Sequence, residues 1–405
     1  KGENFDGHDF AEKAIENGAE AVLCERDCGL GEKQILVKNT RLALLDLAGY
    51  YRSLFNIKVI GITGSVGKTT TKEMVHAVIS SKYNTLKNEG NLNNEIGVPL
   101  TLFRLEKTHE AAVIEMGMNH FDEMRYLSSI ARPTMCVMTN IGVSHIENLG
   151  SREGILKAKC EILDGMAKGS TLIINGDNDM LATLDRDDYK LVRFGIDGEN
   201  LDMWAEDISS NALGSTFTAV YKGEKAKVFV PSVGIHNVYN AMCAMCVGVE
   251  LGYTLEEAAS GIKDFEPEGM RQKITEINNI TFIEDCYNAN PDSMCAALET
   301  LKTLKKERII AVLGDMLELG EQGKKLHADL ADVAKENNID IALCIGNEMK
   351  NLKMRADEIG VACQHFEDKN TLANYLKENM QSGDNILFKG SRGMAMEEII
   401  EEVWG

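Results

Sequence analysis

Apolar residues along this chain fall into short runs, and the residues that come after each run differ. Val59, Ile60 and Ile62 form a run that predicts a buried strand. Gly61, Gly64 and Gly67 then loosen the backbone before Lys68, Thr69 and Thr70 open a helix. Further runs at AAVIEMG, MCVMTNIG and STLIINGDND predict strands of the same kind, the first carrying Glu115 at its C-terminal end. Between Asp202 and Pro231 the pattern changes to polar and apolar alternation (FTAVY, KVFV), which predicts an antiparallel addition. Beyond a composition change at DFEPEGMR, from Asp264 to Arg271, the expected order is strand (ITFIEDCYN), helix (Ser293 to Lys305), strand (RIIAVLGDM) and helix (Lys324 to Asn337). It continues with strand (IDIALCIG), helix (Met349 to Ile359), strand (ILFKGSRG) and a last helix. Apolar strands alternating with helices imply a parallel, doubly wound sheet, with DFEPEGMR as a hinge before it. Right-handed crossovers would put the loops Asp285 to Pro291, Gly314 to Leu319 and Lys389 to Arg392 on one rim.

The start of the chain is less regular. Residues 1–45 predict an amphipathic helix (Phe10, Ala14, Ile15) and a strand at Ala21 to Cys24, and a domain beginning this abruptly is expected to lack its first strand or two. A helix from Thr40 to Phe55 leads into the glycine-rich segment.

That segment, TGSVGKTTT, has the chemistry of a phosphate cradle. A helix N-terminus presents unpaired N–H groups and a partial positive charge, glycines let the backbone approach an anion, and lysine adds a full charge. Thr69 places a hydroxyl where Mg²⁺ on a nucleotide phosphate would sit. The spacing departs from the common P-loop pattern, since Ile62 stands where the first glycine is usual. Glu115, at the end of a neighbouring strand, is a natural Mg²⁺ ligand. The amides Asn88, Asn91, Asn93 and Asn94 can line a polar ligand without adding charge. His145 and Glu147 come after the third strand. The helix REGILKAKCEILDGM carries Lys157 and Lys159, one of which is expected to point inward.

Composition narrows the class. At 405 residues, with 44% hydrophobic and 26% charged positions, the chain is expected to form two to four soluble domains. A net charge of -20 disfavours a nucleic-acid partner, because phosphate backbones reward Lys and Arg. No apolar run approaches the roughly 18 residues of a membrane span, and no basic-plus-apolar leader is read before the first helix. Of the ten cysteines, Cys243 and Cys246 form a CxxC inside an apolar helical stretch, so core-facing thiols are expected rather than a redox pair, in a reducing cytoplasm.

With these blocks together the chain resembles the Mur ligase family over nearly its whole length. The blocks are KGENFDGHDF, TGSVGKTTT, GNLNNEIGVPLT, EMGMNH, KAKCEI, GIHNVYNA, DCYNANPDSM, VLGDMLELGEQGKKLH and KGSRGMAMEE. YNANPDSM with GDMLELG is most similar to the branch that adds D-alanyl-D-alanine. The opening strands of the family's first domain, with a Ser-Arg stretch, have no counterpart.

The resemblance implies a three-domain α/β architecture. It comprises residues 1–45 as a partial uridine-nucleotide domain, 46–270 as a central P-loop domain built on a parallel sheet, and 271–405 as a doubly wound Rossmann-like domain for the incoming dipeptide. It also implies an ATP-dependent amide ligase that joins D-alanyl-D-alanine to UDP-MurNAc-tripeptide through an acyl phosphate. A sister ligase adding one amino acid and a P-loop nucleotide switch are the alternatives.

The matching motifs also imply roles for single residues. Gly64, Ser65, Val66, Gly67, Lys68, Thr69 and Thr70 hold ATP phosphates. Thr69, Glu115, His145 and a carbamylated Lys159 hold magnesium, with Lys68, Glu115, His145 and Lys159 as the catalytic set. His236, Asn237, Asn240, Arg271 and Asp285 surround the rest of the nucleotide. Asn91, Asn93, Asn94, Asn288, Asn290, Lys389, Ser391 and Arg392 are expected against the substrates. Closure about the hinge would assemble the site and exclude water, in a monomeric cytoplasmic enzyme.

Overall fold

The computed structural model describes residues 5–211, 213–267, 269, 271–304 and 307–404. The opening KGEN, Glu268 and Met270 of the expected hinge, Lys305 at the expected helix end, and Gly405 lie outside the described residues.

A nine-stranded sheet forms the middle of the molecule. Its spatial order is Glu224–Val230, Gly214–Tyr221, Met203–Asn211, Lys190–Gly195, Thr171–Asn175, Met135–Met138, Lys58–Thr63, Ala111–Glu115 and Thr85–Lys87. The seven strands from Met203–Asn211 to Thr85–Lys87 pair in parallel, and the first two pair antiparallel. Strand Lys58–Thr63 shows why both faces are covered. Ile60 and Ile62 enter one core with Met74, Val78 and the helix Ile235–Glu250, whereas Val59 enters the other with Leu45, Leu127 and Ile155. A parallel sheet buried on both faces gives the near-continuous apolar runs seen in the sequence. The phosphate-loop strand thus lies inside the sheet, and its C-terminal end opens beside those of Ala111–Glu115 and Met135–Met138.

The second sheet has six strands in the order Lys273–Ile277, Ile280–Asp285, Asp384–Lys389, Arg308–Gly314, Ile341–Ile345 and Cys363–Phe366. All pairs are parallel except the first, which is antiparallel. Helices Pro291–Thr303 and Gly323–Glu336 bury Leu298 and Leu330 on one face, and Lys369–Asn379 and Glu397–Trp404 bury Leu376 and Ile399 on the other. The order expected from sequence omits two strands here, Lys273–Ile277 and Cys363–Phe366, and the helix Lys369–Asn379. Both strands are edges that keep polar, partly exposed side chains, so neither makes an apolar run.

At the start, Val22–Cys24 pairs in parallel with Gln34–Leu36, a strand the sequence pattern does not predict. The first helix is Ala11–Glu16, and it buries Ala11 while Phe10 is exposed. Helix Thr40–Ser53 is capped by Asn39, whose side chain accepts from the Leu42 N–H at 2.9 Å. Its Leu45 and Ala48 pack into the central core, so position 45/46 falls inside a continuous helix. Cys243 and Cys246 are fully buried, and burial pushes both thiols up. No helix among the described residues is long and apolar enough to cross a membrane.

Candidate active site

The phosphate loop is shaped by the neighbouring strand end. Ser65 donates its N–H to the Asn140 carbonyl at 3.0 Å, Val66 donates to Asn140 Oδ1 at 2.9 Å, and Thr139 Oγ1 donates to the Val66 carbonyl at 2.6 Å. Gly64, at φ +155°, has no room for a side chain, since a Cβ would lie 1.9 Å from Thr139 Oγ1. Gly67, at φ +80°, caps the helix Lys68–Ile79, whose first internal bond joins Thr71 N to Gly67 O at 2.8 Å. The amides of Lys68, Thr69 and Thr70 therefore have no partner within the helix and face the cleft as an anion site.

Two lysines converge on one carbonyl of this loop. Lys68 Nζ donates to the Gly64 carbonyl at 2.9 Å, and Lys159 Nζ donates to the same carbonyl at 3.0 Å. Burial pushes the Lys68 ammonium down, with Glu115 opposing and Arg271 adding. Lys159 is 1% exposed and is pushed far below the usual lysine range, by burial first and by Lys68 second. Lys159 lies behind the loop, whereas Lys68 lines the cleft.

Glu115 supplies the acidic end of the site. Its Oε1 accepts from Asn93 Nδ2 at 2.7 Å, and its backbone is clamped by Asn88, which accepts from Glu115 N at 2.7 Å and donates to Glu115 O at 3.1 Å. The other oxygen, Oε2, is buried and makes no hydrogen bond. A buried unpartnered carboxylate oxygen, at the end of a strand paired with the one that leads into the phosphate loop and in the same cleft as Thr69, has the donor chemistry that a hard divalent cation requires. These residues therefore fit magnesium. Behind Asn88 the fully buried Lys72 donates to the Asn88 carbonyl at 2.9 Å and pairs with Glu73 at 3.0 Å, which also holds Lys87.

The second lobe closes the far wall. His145 and Glu318 of the second lobe, both at left-handed backbone angles, meet with Nδ1 2.9 Å from Oε2, a contact not aligned as a hydrogen bond. Asn290 caps helix Pro291–Thr303 by accepting from Ser293 N at 2.8 Å, and its Nδ2 donates to Ser144 Oγ at 2.7 Å. Arg271 stacks on Tyr287 with its guanidinium 3.9 Å from the ring centre. Lys389, 2% exposed, donates to Asp285 at 2.5 Å and to the Asn288 carbonyl at 3.1 Å. On the sheet side, Asn237 Nδ2 lies within 2.9 Å of the Val233 carbonyl and of Gln272 Oε1, and Asn240 Oδ1 accepts from Thr71 Oγ1 at 3.1 Å. Burial lowers the His236 imidazole to about 4, against the pull of Asp285.

These walls enclose a cleft of about 670 Å³. Of the residues singled out from sequence, Ser65 to Thr70, Asn91, Asn93, Asn94, Glu115, His145, His236, Asn237, Asn240, Arg271, Asp285, Asn288, Asn290 and Lys389 line it. Gly64 and Lys159 stand behind it. Ser391 and Arg392 are turned away: Ser391 accepts from Leu317 N at 2.9 Å, and the exposed Arg392 pairs with Glu397 at 2.6 Å. Asn290 and Lys389 are present but already engaged. Sequence reasoning misses Thr139 and Asn140, which shape the loop, and Tyr287, Gln272 and Asp292, which line the cleft. The Thr-Asn pair directly after an apolar strand is the available signal for the first two.

A parallel sheet with a glycine loop, a lysine-headed helix and an acidic strand end, faced by a second α/β lobe, defines a nucleotide-using P-loop enzyme. The chain belongs to the Mur ligase family. It matches the Mur ligase family catalytic domain over residues 1–52, the Mur ligase middle domain over 62–248 and the glutamate ligase domain over 270–392. It is 40% identical to the UDP-N-acetylmuramoyl-tripeptide--D-alanyl-D-alanine ligase of Bacillus subtilis, covering 100% of this chain and 89% of that one. A crystal structure of MurF from Acinetobacter baumannii superposes with a TM-score of 0.92 at 33% identity, over 100% of this chain and 89% of that one. MurF ligase from Thermotoga maritima in complex with ADP gives 0.89 at 27% identity, over 100% and 92%.

Proposed function

We propose that this chain is an ATP-dependent amide ligase that joins D-alanyl-D-alanine to UDP-MurNAc-tripeptide, producing the pentapeptide precursor of peptidoglycan. The observation that carries the reading is the unpartnered, buried Glu115 oxygen beside a phosphate loop, in a cleft whose opposite wall belongs to a separate α/β lobe. Similarity to D-alanyl-D-alanine ligases over the full chain supports the choice of substrates.

A carboxylate is a poor acylating agent, so the tripeptide's terminal carboxylate first takes the γ-phosphoryl group of ATP, giving an acyl phosphate and ADP. The dipeptide amine then attacks the acyl carbon and loses a proton, and phosphate departs from the tetrahedral intermediate. The anionic groups must meet, and mutual repulsion forbids this without compensating charge. The free amides of Lys68, Thr69 and Thr70 and the Lys68 ammonium bind and orient the phosphates. Thr69, Glu115 and His145 would hold magnesium, which supplies charge neutralisation on the phosphoryl oxygens. Lys159 joins that set if carbamylated, since the modification exchanges a cation for a carboxylate-like anion. Asn91, Asn93 and Asn94 face the carboxylate substrate, and Asn288 with the Asp285–Lys389 pair faces the dipeptide side. His236, Asn237, Asn240 and Arg271 flank the nucleotide. Closure of the two lobes excludes water that would hydrolyse the acyl phosphate. The division into residues 1–45, 46–270 and 271–405 separates these tasks, in a monomer acting in the cytoplasm.

The test offers the protein ATP, Mg²⁺, UDP-MurNAc-tripeptide and a panel of amines, and tracks product mass. D-alanyl-D-alanine is expected to give the adduct; preference for a single amino acid would overturn the substrate assignment.

A further inference from the structure

We propose that Asp292 is a positioning residue: from the tip of helix Pro291–Thr303 its carboxylate seats on the Gly142 turn of the central lobe and, through that turn, holds the phosphate loop in shape. The inference rests on the nucleotide-binding part of the proposed function.

Three observations lead to it. The first is fit. A Cβ on Gly142 would lie 1.8 Å from Asp292 Oδ2 and 3.4 Å from Ser65 Cβ, so the turn is bare backbone pressed between an acid of one lobe and the phosphate loop of the other. The second is that Asp292 has no housekeeping task in its own helix. Asn290 and Ser293 already form a complete reciprocal cap there, while Asp292 Oδ2 is buried without a hydrogen-bond partner. Burial pushes the Asp292 carboxyl up, and the Val143 backbone N–H, also on the Gly142 turn, pulls it down, as does Arg152. The third is connectivity. Gly142 N donates to Ser65 Oγ at 2.9 Å, and Asn140, two residues earlier, accepts the amides of Ser65 and Val66. Beside this seat Asn290 Nδ2 grips Ser144 Oγ at 2.7 Å, and the next residue is His145. The segment Thr139 to His145 thus touches the phosphate loop at one end and the second lobe at the other. Seating the helix tip fixes this segment, and the segment fixes the loop amides.

A residue that only stabilised its own lobe would not change the behaviour of a loop in the other. The test therefore reads the phosphate loop. Amide hydrogen exchange of peptides covering Gly64 to Lys68, and affinity for a non-hydrolysable ATP analogue with Mg²⁺, are measured for the full chain and for Asp292→Ala. Asp292→Asn is the fallback that keeps the shape if the alanine variant does not fold. Leu298→Ala, which loosens the same helix from its own core, is the control. The expected result is faster exchange at Gly64 to Lys68 and roughly tenfold weaker analogue binding for the Asp292 variants, with neither change in Leu298→Ala. Unchanged exchange in a folded Asp292 variant would overturn the proposal, as would equal effects from Leu298→Ala. If the unaltered protein fails to bind the analogue, the functional reading falls, and the exchange comparison still decides the seat.

Discussion

Lys68 and Lys159 donate to one and the same carbonyl, that of Gly64, at 2.9 and 3.0 Å. Two ammonium groups at a single acceptor repel each other, and burial disfavours charge on both. The arrangement divides the work. Lys68 is on the cleft side and can swing to a phosphate, whereas Lys159 is locked behind the loop. Lys68→Ala should lower kcat/KM for ligation by about 10²–10³-fold, the usual scale for losing a charge aimed at a developing anion. Full ligation by that variant, measured as phosphate release, would refute its role.

Lys159 has a second chemistry open to it. Pushed toward the neutral amine, it can attack carbon dioxide, forming an N–C bond and releasing a proton, to give a carbamate at the back of the phosphate loop. Intact mass of protein equilibrated with bicarbonate should show one labile added carboxyl that Lys159→Arg lacks. No such species at any bicarbonate concentration would leave Lys159 as a brace for Gly64 alone.

Gly64→Ala and Gly67→Ala separate shape from stability. At Gly64 the new methyl meets Thr139 Oγ1 at 1.9 Å, so the loop itself must move, and nucleotide affinity should be lost while circular dichroism stays native. At Gly67 the methyl meets the Asn240 side chain at 2.6 Å and φ is +80°, which costs about 1–2 kcal/mol of stability. Chemical denaturation together with analogue binding distinguishes the two; equal loss of affinity with no strain at Gly67 would contradict the geometry.

Glu115→Gln removes the charge but keeps the bond from Asn93, since the glutamine Oε1 accepts from Asn93 Nδ2 as the carboxylate does. The variant should fold with an unchanged or slightly higher melting temperature, because a buried negative charge on a carboxylate with an unpartnered oxygen is removed. Its Mg²⁺ requirement for ATP-dependent phosphate release should rise by about tenfold or more. A magnesium titration identical to that of the unaltered protein would remove Glu115 from the metal set.

What can be read from sequence depends on how local each feature is. The phosphate loop announces itself because strand, glycines, lysine and helix are adjacent along the chain, and the apolar run around Val59 is what a strand buried on both faces requires. Glu115 is legible from its position at a strand end. Lys72 is not, since a lysine in KTTTKEM looks like a solvated helix position. Its full burial depends on the Asn88 carbonyl arriving from outside the helix, and on its neighbour Glu73 being shared with Lys87 from the next strand. Cys363–Phe366 escapes notice because CQHF is short, polar and at an edge. Topology puts Arg392 on the rim, but the turn at Ser391 directs it toward Glu397 instead. Asp292 and Asn140 act across lobes or between strand ends, and no sequence spacing encodes those contacts.

His236 gives a pH signature. Its folded value, about 4, is below the ordinary 6.5, so between those limits the unfolded chain binds a proton that the folded chain refuses. Its contribution is complete above pH 6.5 and is lost as pH falls from there to about 4, with a slope approaching one proton. His236→Gln should flatten that part of the stability curve, measured by urea unfolding at successive pH values. An unchanged slope would mean that the imidazole is hydrated.

Ligation in this cleft depends on a carboxylate being activated by phosphoryl transfer before the amine arrives. UDP-MurNAc-tripeptide carrying heavy oxygen in its terminal carboxylate, incubated with ATP, Mg²⁺ and D-alanyl-D-alanine, tests this through the mass of the released phosphate. One labelled oxygen should appear in phosphate for each amide formed. Amide product accompanied by unlabelled phosphate would contradict the acyl-phosphate route and, with it, the role assigned to the cleft.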